Sequence, residues 1–173
     1  GKTSLLTRFC QQTFVPDVRA TIGKPHSFLS LEIDFLGAEY LQTTIDVDGK
    51  SIPCKIYDLS GQETCSTVDK SFFHGCGGVI FTYAVNSQES FDQVEKWISL
   101  ASDVCSKHVC QILIGNKTDD EANRVVSTEQ GKALAEKYQM KFFETSAQQD
   151  KNVTEAFCGL AREFKVKHLD DDL

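Results

Sequence analysis

Ile56-Tyr57-Asp58-Leu59-Ser60-Gly61-Gln62-Glu63 decides how the rest of the chain is read. β-Friendly residues run into an acid, and a glycine turn then presents an amide side chain. An acid at the C-terminal end of a strand can serve a metal site. A glycine three residues on lets its backbone N–H approach an anion with no Cβ in the way. A glutamine directly after it can orient a water for attack on that anion. Taken alone, the stretch is equally well an ordinary strand-to-loop corner. Two further stretches remove the ambiguity, Gly1-Lys2-Thr3 before it and Asn116-Lys117-Thr118-Asp119 after it.

Gly1-Lys2-Thr3 opens a predicted helix over Thr3–Cys10, with Leu5, Leu6 and Phe9 at helical spacing. Free backbone N–H groups and the helix dipole favour phosphate at such a start. Lys2 would reach the β- and γ-phosphates, and the Thr3 hydroxyl would ligate Mg²⁺. A phosphate loop of the form GxxxxGK[ST] has a glycine and four further residues ahead of Gly1, and a hydrophobic strand ahead of those. The expectation is therefore a fragment cut inside its own phosphate-binding loop. At the other end of the pattern, Asp119 can accept two hydrogen bonds from the guanine N1–H and exocyclic amine. Adenine lacks that donor pair, and the mismatch costs on the order of several kcal/mol. Asn116 would tie this loop to the phosphate loop, and the Lys117 stem would lie over the base.

The 173 residues suit one domain over 1–173, with apolar and charged fractions of 40% and 25%. A net charge of −7 leaves no basic stripe for nucleic acid. Seven cysteines are an odd number without CxxC or Cys/His zinc spacing, which predicts reduced thiols in an intracellular protein. No apolar run has membrane-spanning length, and no leader is evident.

The remaining elements follow the hydrophobic pattern. Strands are predicted at Tyr40–Val47 and Ser51–Tyr57 around an Asp48-Gly49 turn of type I′. Further strands fall at Gly77–Val85, Val109–Ile114 and Lys141–Phe143. Helices are predicted over Glu89–Ala101, Val126–Gln139 (capped by Ser127 or Thr128) and Asn152–Lys167. Strand–helix alternation, with the motifs at strand C-termini, gives a doubly wound α/β domain.

With these motifs in this order, the chain resembles a Ras-superfamily small GTPase, closest to the Rab family. The resemblance implies an α/β P-loop NTPase of the small G-domain type. Its sheet would be mostly parallel and would lack its first strand in this fragment, leaving a gap or distorted pairing beside residues 52–58. It implies GTP/GDP and Mg²⁺ as cofactors. Gln62 and Lys2 would be catalytic, and Thr3, Thr21 and Asp58 would serve the metal. Gly1, Lys2, Thr3, Ser4, Phe14, Thr21, Gly61, Asn116, Lys117, Asp119, Ser146 and Ala147 would bind nucleotide. Phe14 stands eleven residues after Thr3, where the family flanks the base, and Thr21 follows at the switch I position. Ala147 would present its N–H to guanine O6. Departures are Val18 for tyrosine, Tyr57 for tryptophan, Thr64 for arginine, Ala84 for aspartate and Gln148 for lysine. An aromatic trio across the switches would be Phe35, Tyr57 and Phe72.

Implied partners are an exchange factor, a GTPase-activating protein and effectors at the switch regions, with no nucleic acid. Localisation would be cytoplasmic, peripheral on endomembranes if the complete protein is lipidated. Membrane attachment is not encoded in this chain, whose last cysteine, Cys158, lies inside a helix. The implied activity is slow GTP hydrolysis by a switch in vesicle trafficking or signalling. The alternative is a non-catalytic, GTPase-like interaction module with weak or no nucleotide binding.

One segment breaks the family pattern. Removing Lys24–Glu32 would join Thr21-Ile22-Gly23 to Ile33-Asp34-Phe35 in Rab-like register. Two readings of 24–32 stand, a short intron translated in frame and a surface loop insertion.

Overall fold

The computed structural model describes residues 1–12, 27–30, 40–58 and 75–169, with 27–30 and 40 described by backbone alone. Its elements are α1 (Lys2–Gln11), β1 (Ser27–Ser30), β2 (Tyr40–Val47), β3 (Lys50–Asp58), β4 (Gly78–Ala84) and α2 (Gln88–Asp92), followed by α3 (Val94–Val104), β5 (Cys110–Asn116), α4 (Thr128–Lys137), β6 (Lys141–Glu144) and α5 (Val153–His168). The strands form one sheet in the order β2-β3-β1-β4-β5-β6.

The hairpin β2–β3 closes with Val47 opposite Lys50. Asp48 and Gly49 both take positive φ, 50° and 76°, as a type I′ turn requires. Strands β4, β5 and β6 are mutually parallel, with Ile80 opposite Ile112 and Leu113 opposite Phe142.

Beside residues 52–58, where a gap or distorted pairing is expected, the sheet is continuous but its pairing is antiparallel. Strand β1 fills that position, antiparallel to β3 from Ser27↔Asp58 to Ser30↔Lys55, and antiparallel to β4 at Leu29↔Gly78. The physical reason is backbone pairing. Interior strands present a row of N–H and C=O groups on each side, and leaving them unmatched away from water is costly. Residues 27–30 therefore belong to the sheet, and a surface loop does not describe them.

The helix predicted over Glu89–Ala101 is two helices meeting at Gln93, whose N–H reaches both Glu89 O and Phe91 O. The Ser90 hydroxyl turns back onto Ser87 O at 2.8 Å and accepts from the Ala84 N–H at 2.9 Å. The first turn is thus tied to the end of β4, and the longer helix starts afresh from Gln93. Ser127 is the N-cap of α4, in a reciprocal capping box with Gln130.

Alternation along β5 divides the core between the two faces of the sheet. Cys110, Ile112 and Ile114 pack with Leu5, Leu6, Phe157 and Leu160 from α1 and α5. Leu113 packs on the other face with Val79, Phe81, Val94 and Ile98. Both faces are covered, as a doubly wound domain requires.

On that second face Tyr83 is an interlocking piece. It is buried and meets Phe91 edge to face, with ring centroids 4.9 Å apart. A Cβ at Gly115 would lie 2.7 Å from the Tyr83 hydroxyl, and one at Gly131 only 2.3 Å from it. Burial pushes the phenol pKa up. The hydroxyl has no hydrogen-bond partner among the described residues. A buried polar group without a partner costs about 1–3 kcal/mol. Tyr83→Phe should therefore raise stability by about 1 kcal/mol in urea unfolding at constant m, and a loss of that size would reveal a bonded hydroxyl.

Candidate functional site

The start of α1 meets the C-terminal ends of β3 and β5. Gly1 is the N-cap of α1 and no side chain caps this end, so the helix start keeps its capacity for an anion. Lys2 is half-buried beside it. Burial holds its ammonium below the ordinary lysine value, against an opposing pull from the Asp58 carboxylate. Lys2 makes no ion pair among the described residues. An anion placed here would restore the favourable charge state that desolvation erodes.

Thr3 Oγ1 donates to Asp58 Oδ2 at 2.5 Å across fifty-five residues of sequence. The pair brings a hydroxyl and a carboxylate oxygen to one point, a donor set suited to a hard cation such as Mg²⁺.

Asn116, 2% exposed at the end of β5, is the junction of the site. Its Nδ2 donates to Gly1 O at 3.3 Å, while its Oδ1 accepts from Thr145 Oγ1 at 3.1 Å and from Ala147 N at 3.3 Å. Thr145 O in turn accepts from both the N–H and the hydroxyl of Thr118, each at 3.1 Å. Asp119 Oδ1 accepts from Ser146 Oγ at 2.5 Å, which orients the carboxylate. Ser146 Oγ also accepts from Gln149 N, fixing that hydroxyl from behind. Lys117 sits at φ 68° and turns the chain between Asn116 and Asp119.

The structure thus brings together Gly1, Thr3, Asp58, Asn116, Ser146 and Ala147, with Asp119 held beside Ser146 and Lys2 facing Asp58. Ser4 lies in the first turn of α1 and makes no side-chain hydrogen bond among the described residues. Phe14, Thr21, Gly61 and Gln62, with Phe35 and Phe72, lie outside the described residues.

Two contributors escaped the sequence reading. Arg8 on α1 donates from Nε to Ala147 O at 2.8 Å and from Nη2 to Gln148 O at 3.1 Å. Its guanidinium thereby fastens the 146–148 turn to the helix. Nothing in a lone arginine at that helical position announces a bond across 139 residues. Thr145 was passed over as a flank of Ser146. It is fully buried and its hydroxyl completes Asn116.

The chain matches the family model described as "Ras family" over residues 1–166. It is similar to the GTP-binding protein ypt2 of Schizosaccharomyces pombe, 42% identical over 170 residues that span 98% of this chain and 78% of that one. It is also similar to the Ras-related protein RAB1BV of Beta vulgaris, 39% identical over 173 residues, or 99% and 74% of the two chains. The Ras-related protein Rab-8B of Dictyostelium discoideum is 38% identical over 170 residues, or 98% and 77%.

Asn116→Ala removes one amide and orphans the Thr145 hydroxyl and the Ala147 N–H, while Gly1 O keeps the Leu5 N–H. The expected cost is about 2–4 kcal/mol in chemical denaturation. A loss below about 0.5 kcal/mol would show that these groups find other partners.

Proposed function

The chain belongs to the Ras family of small GTPases, and from that premise we propose that the start of α1, Asp58 and the Asn116–Asp119 turn form the wall of its guanine-nucleotide pocket. The protein is a GTP-binding switch and a GTP hydrolase. Its place is in intracellular vesicle trafficking or signalling. Family membership does not favour the non-catalytic alternative.

One observation carries the pocket assignment. The Thr3–Asp58 and Asn116–Gly1 hydrogen bonds draw three segments, remote in sequence, to one uncapped helix start. Gly1, Lys2, Thr3 and Ser4 face the phosphates in this reading, and the Lys2 ammonium offsets charge on their β- and γ-oxygens. Thr3 and Asp58, with Thr21, would hold Mg²⁺, and the hydroxyl and carboxylate donors fit it. Bound there, the ion would supply positive charge that offsets the charge of the phosphates. Gly61 offers its N–H to the γ-phosphate and Gln62 orients the attacking water.

For the base, Asp119 accepts from guanine N1–H and the exocyclic amine, Ala147 N–H serves O6, and Phe14 and the Lys117 stem flank the ring. The observed Ser146–Asp119 hydrogen bond supports this, because it fixes the carboxylate before the base arrives.

Regulators and effectors in general come with the family. An exchange factor, a GTPase-activating protein and effectors reading the switch regions are the specific partners we assign. GTP would order Thr21 and Gly61, and hydrolysis would release them. Among the described residues, no helix is long and apolar enough to cross a membrane.

Two substitutions test the assignment by equilibrium binding and single-turnover hydrolysis. Asp119→Asn should weaken GTP about 100-fold and favour xanthine nucleotide, whose C2 carbonyl accepts from the new amide. Equal affinity of the unsubstituted protein for GTP and ATP would sink the base assignment. Gln62→Leu should keep near-normal GTP binding while hydrolysis slows at least about tenfold. An unchanged rate, with and without an activating protein, would remove Gln62 from the reaction.

A further inference from the structure

Among the described cysteines, one pair lies within contact. Cys76 Sγ and Cys105 Sγ are 3.8 Å apart. Cys76 directly precedes the Gly77-Gly78 entry into β4, and Cys105 is the C-cap of α3, the helix packed on that strand. Both belong to the same hydrophobic cluster. They sit at the N-terminal edge of the parallel strands, opposite the edge that carries Asn116. We propose that Cys76 and Cys105 are a built oxidation site, a dithiol that hydroperoxides convert to an intramolecular disulfide.

The two thiols differ in access. Cys76 is 7% exposed. Cys105 is half-exposed and lines an open cleft of about 350 Å³ together with Ser106, Lys107, Gln139 and Lys167. A small peroxide reaches Cys105 from this cleft, and Cys76 waits behind it. The charge states agree with that order. The hydrogen bond between the thiols holds Cys105 below its ordinary value, and the same bond together with burial pushes Cys76 up. Thiolate character selects the attacked sulfur. The other buried thiols are poor competitors, since burial pushes Cys54 and Cys110 up to about 11.

The chemistry balances with hydroperoxide as the only co-reactant. With hydrogen peroxide, the Cys105 thiolate attacks one peroxide oxygen, the O–O bond breaks, the sulfur becomes a sulfenic acid, and the hydroxide that leaves takes up the proton Cys105 released, as the first water. Cys76 sulfur then attacks the sulfenic sulfur. The S–S bond forms, the S–O bond breaks, and hydroxide leaves with the Cys76 proton as a second water. Two thiols are oxidised by two electrons and one peroxide is reduced. The sulfurs must close from 3.8 Å to about 2.05 Å. The bridge closes a ring from the entry of β4 through the end of α3, which restrains the unfolded chain.

The test is peroxide titration of the whole chain, followed by alkylation of free thiols, non-reducing digestion and mass spectrometry. The expected product is a Cys76–Cys105 linked peptide lighter by two hydrogens, with Tm raised by about 5–10 °C and reversed by dithiothreitol. In Cys76→Ser, a sulfenic-acid trap should label Cys105, while in Cys105→Ser the linked peptide should vanish and Cys76 should stay unlabelled at the same dose. Full alkylation of both residues after peroxide treatment of the folded protein would overturn the proposal. So would preferential linkage of another pair, such as Cys10 with Cys54, or linkage only between molecules. The linked-peptide readout on the unsubstituted protein stands even if a variant fails to fold.

Discussion

A carboxamide cannot be buried cheaply unless its donors and acceptor are all used, and this requirement at Asn116 organises one edge of the sheet. The side chain spends its amino group on residue 1 and its oxygen on residues 145 and 147. Three stretches, at residues 1, 116 and 145–147, are therefore held in one geometry by one group. Arg8 repeats the idea from outside, clamping the 147–148 carbonyls to α1. Asp119 inherits the result, because Ser146 can steady its carboxylate only while the 145–147 turn is in place. In the proposed pocket, specificity for a base would then be a property of the network and not of the carboxylate alone.

What could be read from the chain was what is written locally. The alternation in Tyr40–Val47 and the Asp48-Gly49 pair specify a hairpin with no knowledge of the rest, and β2 has those bounds. The motifs themselves are local, so Lys2, Thr3, Asp58, Asn116 and Asp119 could be nominated before any contact was known. Their convergence could not be derived from spacing, because Thr3 and Asp58 are joined through the sheet and not through the sequence. The break at Gln93 was hidden for a related reason. Phe91, Val94, Trp97 and Ile98 keep a helical apolar spacing across it, while the cause is a Ser90 hydroxyl bonded to the end of β4.

The strand that pairs in the middle of the sheet was the least legible element, and the reason is general. Periodicity reports which face of a strand is apolar, but backbone demand is blind to side chains. The opening between β3 and β4 takes Ser27–Ser30 although that run belongs to a segment outside the family's pattern. The interior of a hydrogen-bonded sheet selects for extended backbone first and for sequence second. The cost is directional, since parallel pairing survives only over β4, β5 and β6.

The Tyr83 interlock constrains how this protein can change over generations. A Cβ at Gly115 would meet Tyr83, and one at Gly131 would meet both Tyr83 and Phe142, so these positions compete for one volume. Growth at Gly115 is admissible only after residue 83 has shrunk, and growth at Gly131 only after Phe142 has given way as well. Shrinking residue 83 first opens a cavity that must be endured until a glycine grows into it. The path through sequence space therefore has an order, and the intermediate is less fit than both ends. Positions 83, 115 and 131 should travel through descent as a linked set, and a substitution harmless in a relative with a smaller residue at 83 would be damaging here.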